Sequence, residues 1–381
     1  MRFPLLLICA AFLCRTSATV RAEEKAVTLP PAQPATGPGG SSYPHAKVKS
    51  SVFGAGGTQF HLFEPGQPIP EPVPVVVFLH GWTAIDPWLY GAWIEHLVRR
   101  GSVVIHPRYQ ESALTPSPQF TPNTVAAVKA AFAELARPGH TKIDRNRFAI
   151  CGHSVGGLLT ANLAVLAEAG GLPRPRALMS VQPGRSARGG GGFGIPMEDL
   201  ARLPGDALLL CVAGERDTVC GDFDSRRILA ESTSIPAQRK NLVILTADLH
   251  GKPALTASHL APCSVPAEVP GLPVATGEPA DPEFSAIAAA MGGDFAPVRA
   301  FLATPNGRLW RREKLAQTSF AETFDPPNAQ DFALWRLFDS LYDAAFAGKI
   351  TVDALGKSPR SLTMGTWSDG RPVLPMKTAG P

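Results

Sequence analysis

Ser154 stands in Gly152-His153-Ser154-Val155-Gly156, and that spacing points to nucleophilic chemistry. A serine hydroxyl attacks a carbonyl carbon only when a base takes its proton, so the chain must hold Oγ on a sharp turn within reach of an imidazole. Glycines at 152 and 156 let a strand and a helix fold back on each other where β-carbons would collide. The flanking sequence supplies both elements. Phe148-Ala149-Ile150-Cys151 reads as a buried strand, and residues 155–169, with Leu158, Leu159, Ala161, Leu163, Ala164 and Leu166, read as an apolar helix. The amino terminus of that helix directs positive peptide dipoles at the serine. The competing reading is a serine that merely caps the helix.

A second element lies upstream. Val73-Pro74-Val75-Val76-Val77-Phe78-Leu79 is an apolar, largely β-branched run that suits a strand covered on both faces, and it ends in His80-Gly81-Trp82. In serine hydrolases of this kind two backbone N–H groups hold the oxyanion, one after the nucleophile and one after an earlier strand. Those are Val155 and Trp82. The Trp82 side chain suits either a wall of an acyl pocket or a prop against the sheet. His80 reads as a residue that fastens its loop.

With these residues the chain resembles the α/β-hydrolase family, which orders its triad as serine, acid, histidine. The resemblance implies that Asp217, in Ala213-Gly214-Glu215-Arg216-Asp217-Thr218-Val219 after the apolar run 207–212, is the acid; Glu215 and Asp222 are nearby competitors. It also implies a base in the loop after the last convincing strand, 241–246, where two histidines stand. His250, a few residues beyond that strand and followed by Gly251, is the expected base, and His259 is the competitor. His80, His106 and His153 near strand ends raise the question of a metal, but no close His/Cys/carboxylate spacing accompanies them. Neither a metal nor a cofactor is expected. The resemblance covers about residues 50 to 262. Within the family the chain is most similar to cutinases, polyester hydrolases, dienelactone hydrolases and platelet-activating-factor acetylhydrolases, because no long lid interrupts the core. Its His-Gly-Trp departs from the glycine-rich oxyanion loop of lipases. The function implied is a serine hydrolase acting on small or polymeric carboxylic esters. A peptidase or acylaminoacyl hydrolase, and a binding module that lost the reaction, are the alternatives.

The rest of the chain sets the context. Its 381 residues are 45% hydrophobic and 18% charged, enough for one large buried sheet, and a net charge of +4 without a basic, aromatic-interleaved run gives no support for a nucleic-acid partner. Arg2, the short apolar stretch 3–14 and Val20-Arg21-Ala22 read as a signal peptide over 1–22. That predicts a secreted or periplasmic protein without membrane insertion. Residues 23–46, rich in proline and glycine, read as a flexible linker, 47–263 as the catalytic domain and 264–381 as a carboxy-terminal extension packed on it. Cys151 and Cys211 read as buried thiols. Cys220 and Cys263 follow the acid and histidine loops, which predicts a disulfide between them.

Strands near 50–63, 73–79, 102–106, 148–152, 177–182, 207–213 and 241–247 alternate with helices near 87–100, 122–137, 155–169 and 224–232. The expected architecture is therefore α/β: an α/β-hydrolase fold, a mostly parallel sheet with helices on both faces, plus a mainly helical extension. In that extension, 329–348 carries Phe332, Leu334, Trp335, Phe338, Leu341 and Tyr342 at the spacing of a mostly buried helix. The glycine-rich stretch 183–196 lacks a phosphate-binding Gly-Lys-Ser/Thr and reads as a mobile loop on the active-site side.

Overall fold

Val75, Val77 and Leu79 pack on one side of their strand and Val76 and Phe78 on the other, and all five are fully buried. In the computed structural model, which describes residues 27–68, 72–112, 114–187, 194–264 and 327–380, this strand lies inside a single sheet. Among the described residues the strand order is β1-β2-β4-β3-β5-β6-β7-β8-β9. The strands are β1 (Val48–Phe53), β2 (Phe60–Pro65), β3 (Val73–Leu79), β4 (Val103–Pro107), β5 (Ile143–His153), β6 (Ala177–Val181), β7 (Leu208–Gly214), β8 (Lys240–Leu245) and β9 (Lys377–Thr378). β3 to β8 run parallel, and β1, β2 and β9 add antiparallel at the edges. This is the α/β-hydrolase architecture expected above.

One expected strand is two. Gly54 and Gly56 adopt φ of +75° and +56°, which turns the chain and pairs Phe53 with Phe60 across a hairpin. Helices α1 (Gly91–Arg99) and α5 (Ala329–Phe346) cover one face of the sheet; α2 (Phe120–Leu135), α3 (Val155–Leu166) and α4 (Phe223–Glu231) cover the other. A further short helix, α6 (Pro359–Leu362), follows α5.

The expected helix near 329–348 forms α5, opened by a capping box in which Asn328 and Asp331 satisfy each other's backbone amides. Its aromatic stripe is core: Phe332, Trp335, Phe338 and Tyr342 are buried against α1 and the sheet. Residues 327–380 are therefore a layer of the same domain, continuous with the core that precedes residue 263. β9 closes the β8 edge, and Asn241 donates to Leu355 O at 2.7 Å.

Residues 27–46 differ from the flexible linker expected of their composition. Gly39 N–H donates to Asp339 at 2.6 Å, Tyr43 Oη meets His96 Nδ1 at 2.9 Å, and Leu29 N–H donates to Ser368 at 2.8 Å. The first two contacts, buried and partly buried, and the exposed third hold the segment against α1 and the carboxy-terminal layer. Residues 1–22, read above as a signal peptide, the tetraglycine at 189–192 and residues 265–326 of the extension lie outside the described residues. Among those described, no helix is long and apolar enough to cross a membrane.

Candidate active site

Ser154 joins β5 to α3 with φ 57° and ψ −121°, a backbone conformation that side chains rarely adopt and that projects Oγ from the turn. The motif glycines are steric necessities. A β-carbon on Gly152 would lie 2.2 Å from Gly156 O, and one on Gly156 would lie 2.2 Å from Leu79 O. Ser154 N–H donates to Val181 O at 2.9 Å, tying the turn to β6.

Asp217 follows β7. Its Oδ1 accepts the N–H groups of Val219 and Cys220, both at 2.9 Å, and its Oδ2 lies 2.8 Å from His259 Nδ1. His259 Nε2 lies 3.0 Å from Ser154 Oγ. With Nδ1–H donating to the carboxylate, Nε2 is left as the acceptor for the serine hydroxyl. Burial works against ionisation of both partners, yet each supports the other's charge. The Asp217 carboxyl, bonded to His259 and to two amides, is held below the usual carboxylate range. The hydrogen bond to Asp217 and the adjacent Cys220 thiol raise His259 to about 9 against its burial.

The imidazole that meets Ser154 is thus that of His259, and the expectation of His250 is corrected. His250 Nε2 contacts Asp369 at 2.6 Å and its Nδ1 receives Arg371 at 3.1 Å, so both ring nitrogens face the carboxy-terminal layer. The cause is a small hairpin after β8. Asp248 and Leu255 exchange backbone bonds at 2.7 and 2.9 Å, which places His250 in the turn and brings His259 back on the return limb. Trp367 Nε1 anchors this hairpin on Asp248 at 3.0 Å, and Gly251 packs so tightly on Trp367 that a β-carbon there would come within 2.3 Å. Glu215 and Asp222 also lie elsewhere, paired with Lys377 and Arg226.

Val155 follows Ser154 directly, and Trp82 follows Gly81 on the loop after β3. Val155 opens α3, where no preceding turn offers its N–H an acceptor. A β-carbon on Gly81 would lie 3.4 Å from Ser154 Cβ, so the Gly81-Trp82 loop runs beside the nucleophile. Trp82 is 45% exposed, which places its indole at the surface. His80 fastens this loop. Its ring nitrogens lie 2.6 Å from Gly81 O and 2.8 Å from Arg108 O, it stacks on Tyr109, and burial lowers it to about 4.

Three residues that the sequence reading did not single out as positioning groups hold these parts together. Gly81 N–H donates to Tyr90 Oη at 2.9 Å, Tyr90 Oη meets His153 Nδ1 at 2.9 Å, and His153 Nε2 meets His259 O at 2.8 Å. Burial and the neighbouring His259 push His153 down to about 3, so it is neutral and every bond in this chain of donors is satisfied with its proton on Nε2. Gln182 adds a bond to Ser258 O at 2.7 Å. The histidine inside the motif was the available signal for this brace; its partners come from distant segments.

The expected Cys220–Cys263 disulfide is absent: both are free thiols. Cys220 faces His259, with Sγ 4.0 Å from Nε2, whereas Cys263 is buried in the core against Tyr90. The two loops meet through Asp217 and His259, and the side chains after them diverge. Cys151 and Cys211 are fully buried thiols, as read.

Residues 76–194 match the family model of the alpha/beta hydrolase fold, which supports hydrolase activity in general. The matched stretch contains the Gly81-Trp82 loop and Ser154 and ends before Asp217 and His259. No curated protein matches the chain.

Proposed function

We propose that this chain is a serine hydrolase that cleaves carboxylic esters through an acyl-enzyme on Ser154. The observation that carries the reading is the continuous line from Asp217 Oδ2 through His259 to Ser154 Oγ, at 2.8 and 3.0 Å, on a strained strand-to-helix turn. His259 Nε2 takes the hydroxyl proton as Oγ bonds to the acyl carbon, and the N–H groups of Val155 and Trp82 receive the oxyanion. The C–O bond to the alcohol then breaks, and the leaving oxygen takes the proton from Nε2. Water repeats the sequence on the acyl-enzyme: His259 removes its proton, the acid leaves, and Ser154 recovers its hydrogen. Asp217 orients the imidazole and stabilises its charge. An alkoxide departs more easily than an amine, which is why we assign the ester. No cofactor enters the scheme.

Export belongs to the same proposal, supported by the apolar stretch 3–14 and by Val20-Arg21-Ala22, and the mature chain then starts at Glu23. N-terminal sequencing of the protein from a secreting host checks this. The chemistry is tested with a fluorophosphonate probe and with p-nitrophenyl esters from acetate to palmitate beside a peptide anilide. Labelling at Ser154 with ester turnover is expected. A chain that neither labels nor turns over any ester is not this enzyme, and faster cleavage of the anilide reassigns it as a peptidase.

A further inference from the structure

His259 Nε2 has two neighbours. Ser154 Oγ lies at 3.0 Å and Cys220 Sγ at 4.0 Å, and the ligand atoms of Asp217, Cys220 and His259 all lie within 4.8 Å of one another. Ester hydrolysis as written above makes no use of this thiol. Its position is nevertheless built. A β-carbon on Gly184 would stand 1.9 Å from Sγ, so the backbone leaves room for sulfur where any other residue at 184 would displace it. The Cys220 N–H is held by Asp217 Oδ1 at 2.9 Å.

We propose that Cys220 and His259 form a binding site for a thiophilic divalent cation of the zinc class, and that its occupation switches the hydrolase off. The proposal rests on the reading of His259 as the base. Zinc binds sulfur at about 2.3 Å and imidazole nitrogen at about 2.0–2.1 Å, so a near-tetrahedral angle sets the two donors about 3.6 Å apart. The observed 4.0 Å requires a side-chain adjustment of a few tenths of an ångström. Asp217 Oδ2 already holds the opposite imidazole N–H at 2.8 Å, the arrangement that orients metal-bound histidines and raises their basicity. One sulfur and one imidazole select zinc or cadmium over magnesium and calcium, which take oxygen ligands. On binding, the thiol proton and the proton that a charged imidazole carries on Nε2 are released to solvent, the sulfur and Nε2 lone pairs go to the cation, and water or Ser154 Oγ completes the coordination. The Nε2 lone pair is the one that accepts the serine proton, so a bound cation and turnover exclude each other.

The test uses the full mature protein, freed of metal with a chelator, and the variants Cys220→Ala, Cys220→Ser and Ser154→Ala. Zinc is titrated against ester turnover, and cadmium binding is followed by thiolate-to-cadmium charge-transfer absorbance. Zinc should inhibit the parent protein reversibly, and both Cys220 variants, active without metal, should need zinc concentrations about tenfold or more higher for the same inhibition. The cadmium band should appear in the parent and in Ser154→Ala and be missing from both Cys220 variants. Equal zinc sensitivity of parent and Cys220 variants, or cadmium bands that do not depend on Cys220, would overturn the site. A parent protein without hydrolase activity would instead sink the reading of His259 as a base, and the cadmium spectra would then decide the site alone.

Discussion

Two histidines on the loop after β8 each hold a carboxylate, His259 with Asp217 at 2.8 Å and His250 with Asp369 at 2.6 Å. On the acid side the two pairs look alike. The difference lies at the other ring nitrogen. His259 Nε2 faces the Ser154 hydroxyl in a buried setting and has a proton to accept. His250 Nδ1 faces the Arg371 guanidinium, a permanent cation whose protons do not transfer, at the solvent-exposed rim. A third pair, His96 with Asp339 at 2.9 Å, is fully buried and meets Tyr43 Oη at its second nitrogen; it is a strut between α1, α5 and the segment before β1. An acid partner orients imidazoles at several places in this molecule. In the mechanism we propose, a nucleophile on the far side is what makes one of them a base.

The comparison breaks most visibly through the nucleophile and the two histidines. Ser154→Ala and His259→Ala should each lower turnover by about 10⁴-fold or more, the scale of losing a triad member, with folding retained by thermal unfolding. His250→Ala should cost about tenfold or less, because its partners are an exposed acid and a surface cation. A His250 variant that loses turnover while the His259 variant keeps it would invert the assignment. Asp217→Asn comes next, at about 10³–10⁴-fold in kcat, since an amide can hold the imidazole in the wrong tautomer. Smaller still is Tyr90→Phe, which leaves Gly81 N–H without its buried acceptor and His153 Nδ1 without its donor. We expect about 1–3 kcal/mol of lost stability and a several-fold drop in turnover, read by denaturant unfolding and steady-state kinetics.

The pH profile sharpens the same contrast. His259 works as a base only when neutral and is raised to about 9, so kcat/KM in metal-free buffer should climb through the neutral range and level off on the alkaline side. Stability linked to His259 runs the other way. A histidine raised in the folded state stabilises fully below its ordinary value of about 6.5, and this contribution fades as pH rises through the folded value. A flat profile between pH 6 and 9 would show that His259 is not raised.

The sheet, the Ser154 turn and the place of Asp217 after β7 were legible because each is written in short local patterns. Gly152, Ser154 and Gly156 encode their turn within five residues, and β3, β7 and the 148–151 end of β5 are largely apolar runs. Distance from the strand end could not decide between His250 and His259. The path of their loop depends on Trp367 anchoring Asp248 and on Gly251 packing against Thr28 O and Trp367, contacts with partners remote in sequence. The same limit applies to residues 27–46. Proline and glycine content describes how freely such a segment moves alone, and Asp339, His96 and Ser368, which pin it, are supplied by other parts of the fold. For the thiols, proximity of two loops was inferred correctly, but side-chain direction was not. Cys220 turns toward His259 and Cys263 toward the core.

The place of α5 in the chain governs the order in which the protein is made. Every proposed catalytic residue leaves the ribosome before Ala329, at roughly 5–20 residues per second several seconds before the helix that covers one face of the sheet. Until Phe332, Trp335 and Phe338 arrive, α1 alone covers that face, where Trp93 meets Phe78, and Met179 and Leu210 lack the second helix of their core. A nascent chain released at residue 264 should therefore stay protease-sensitive, while the full chain becomes resistant. Late delivery of one helix thus leaves completion of the core to the last part of the chain to be made.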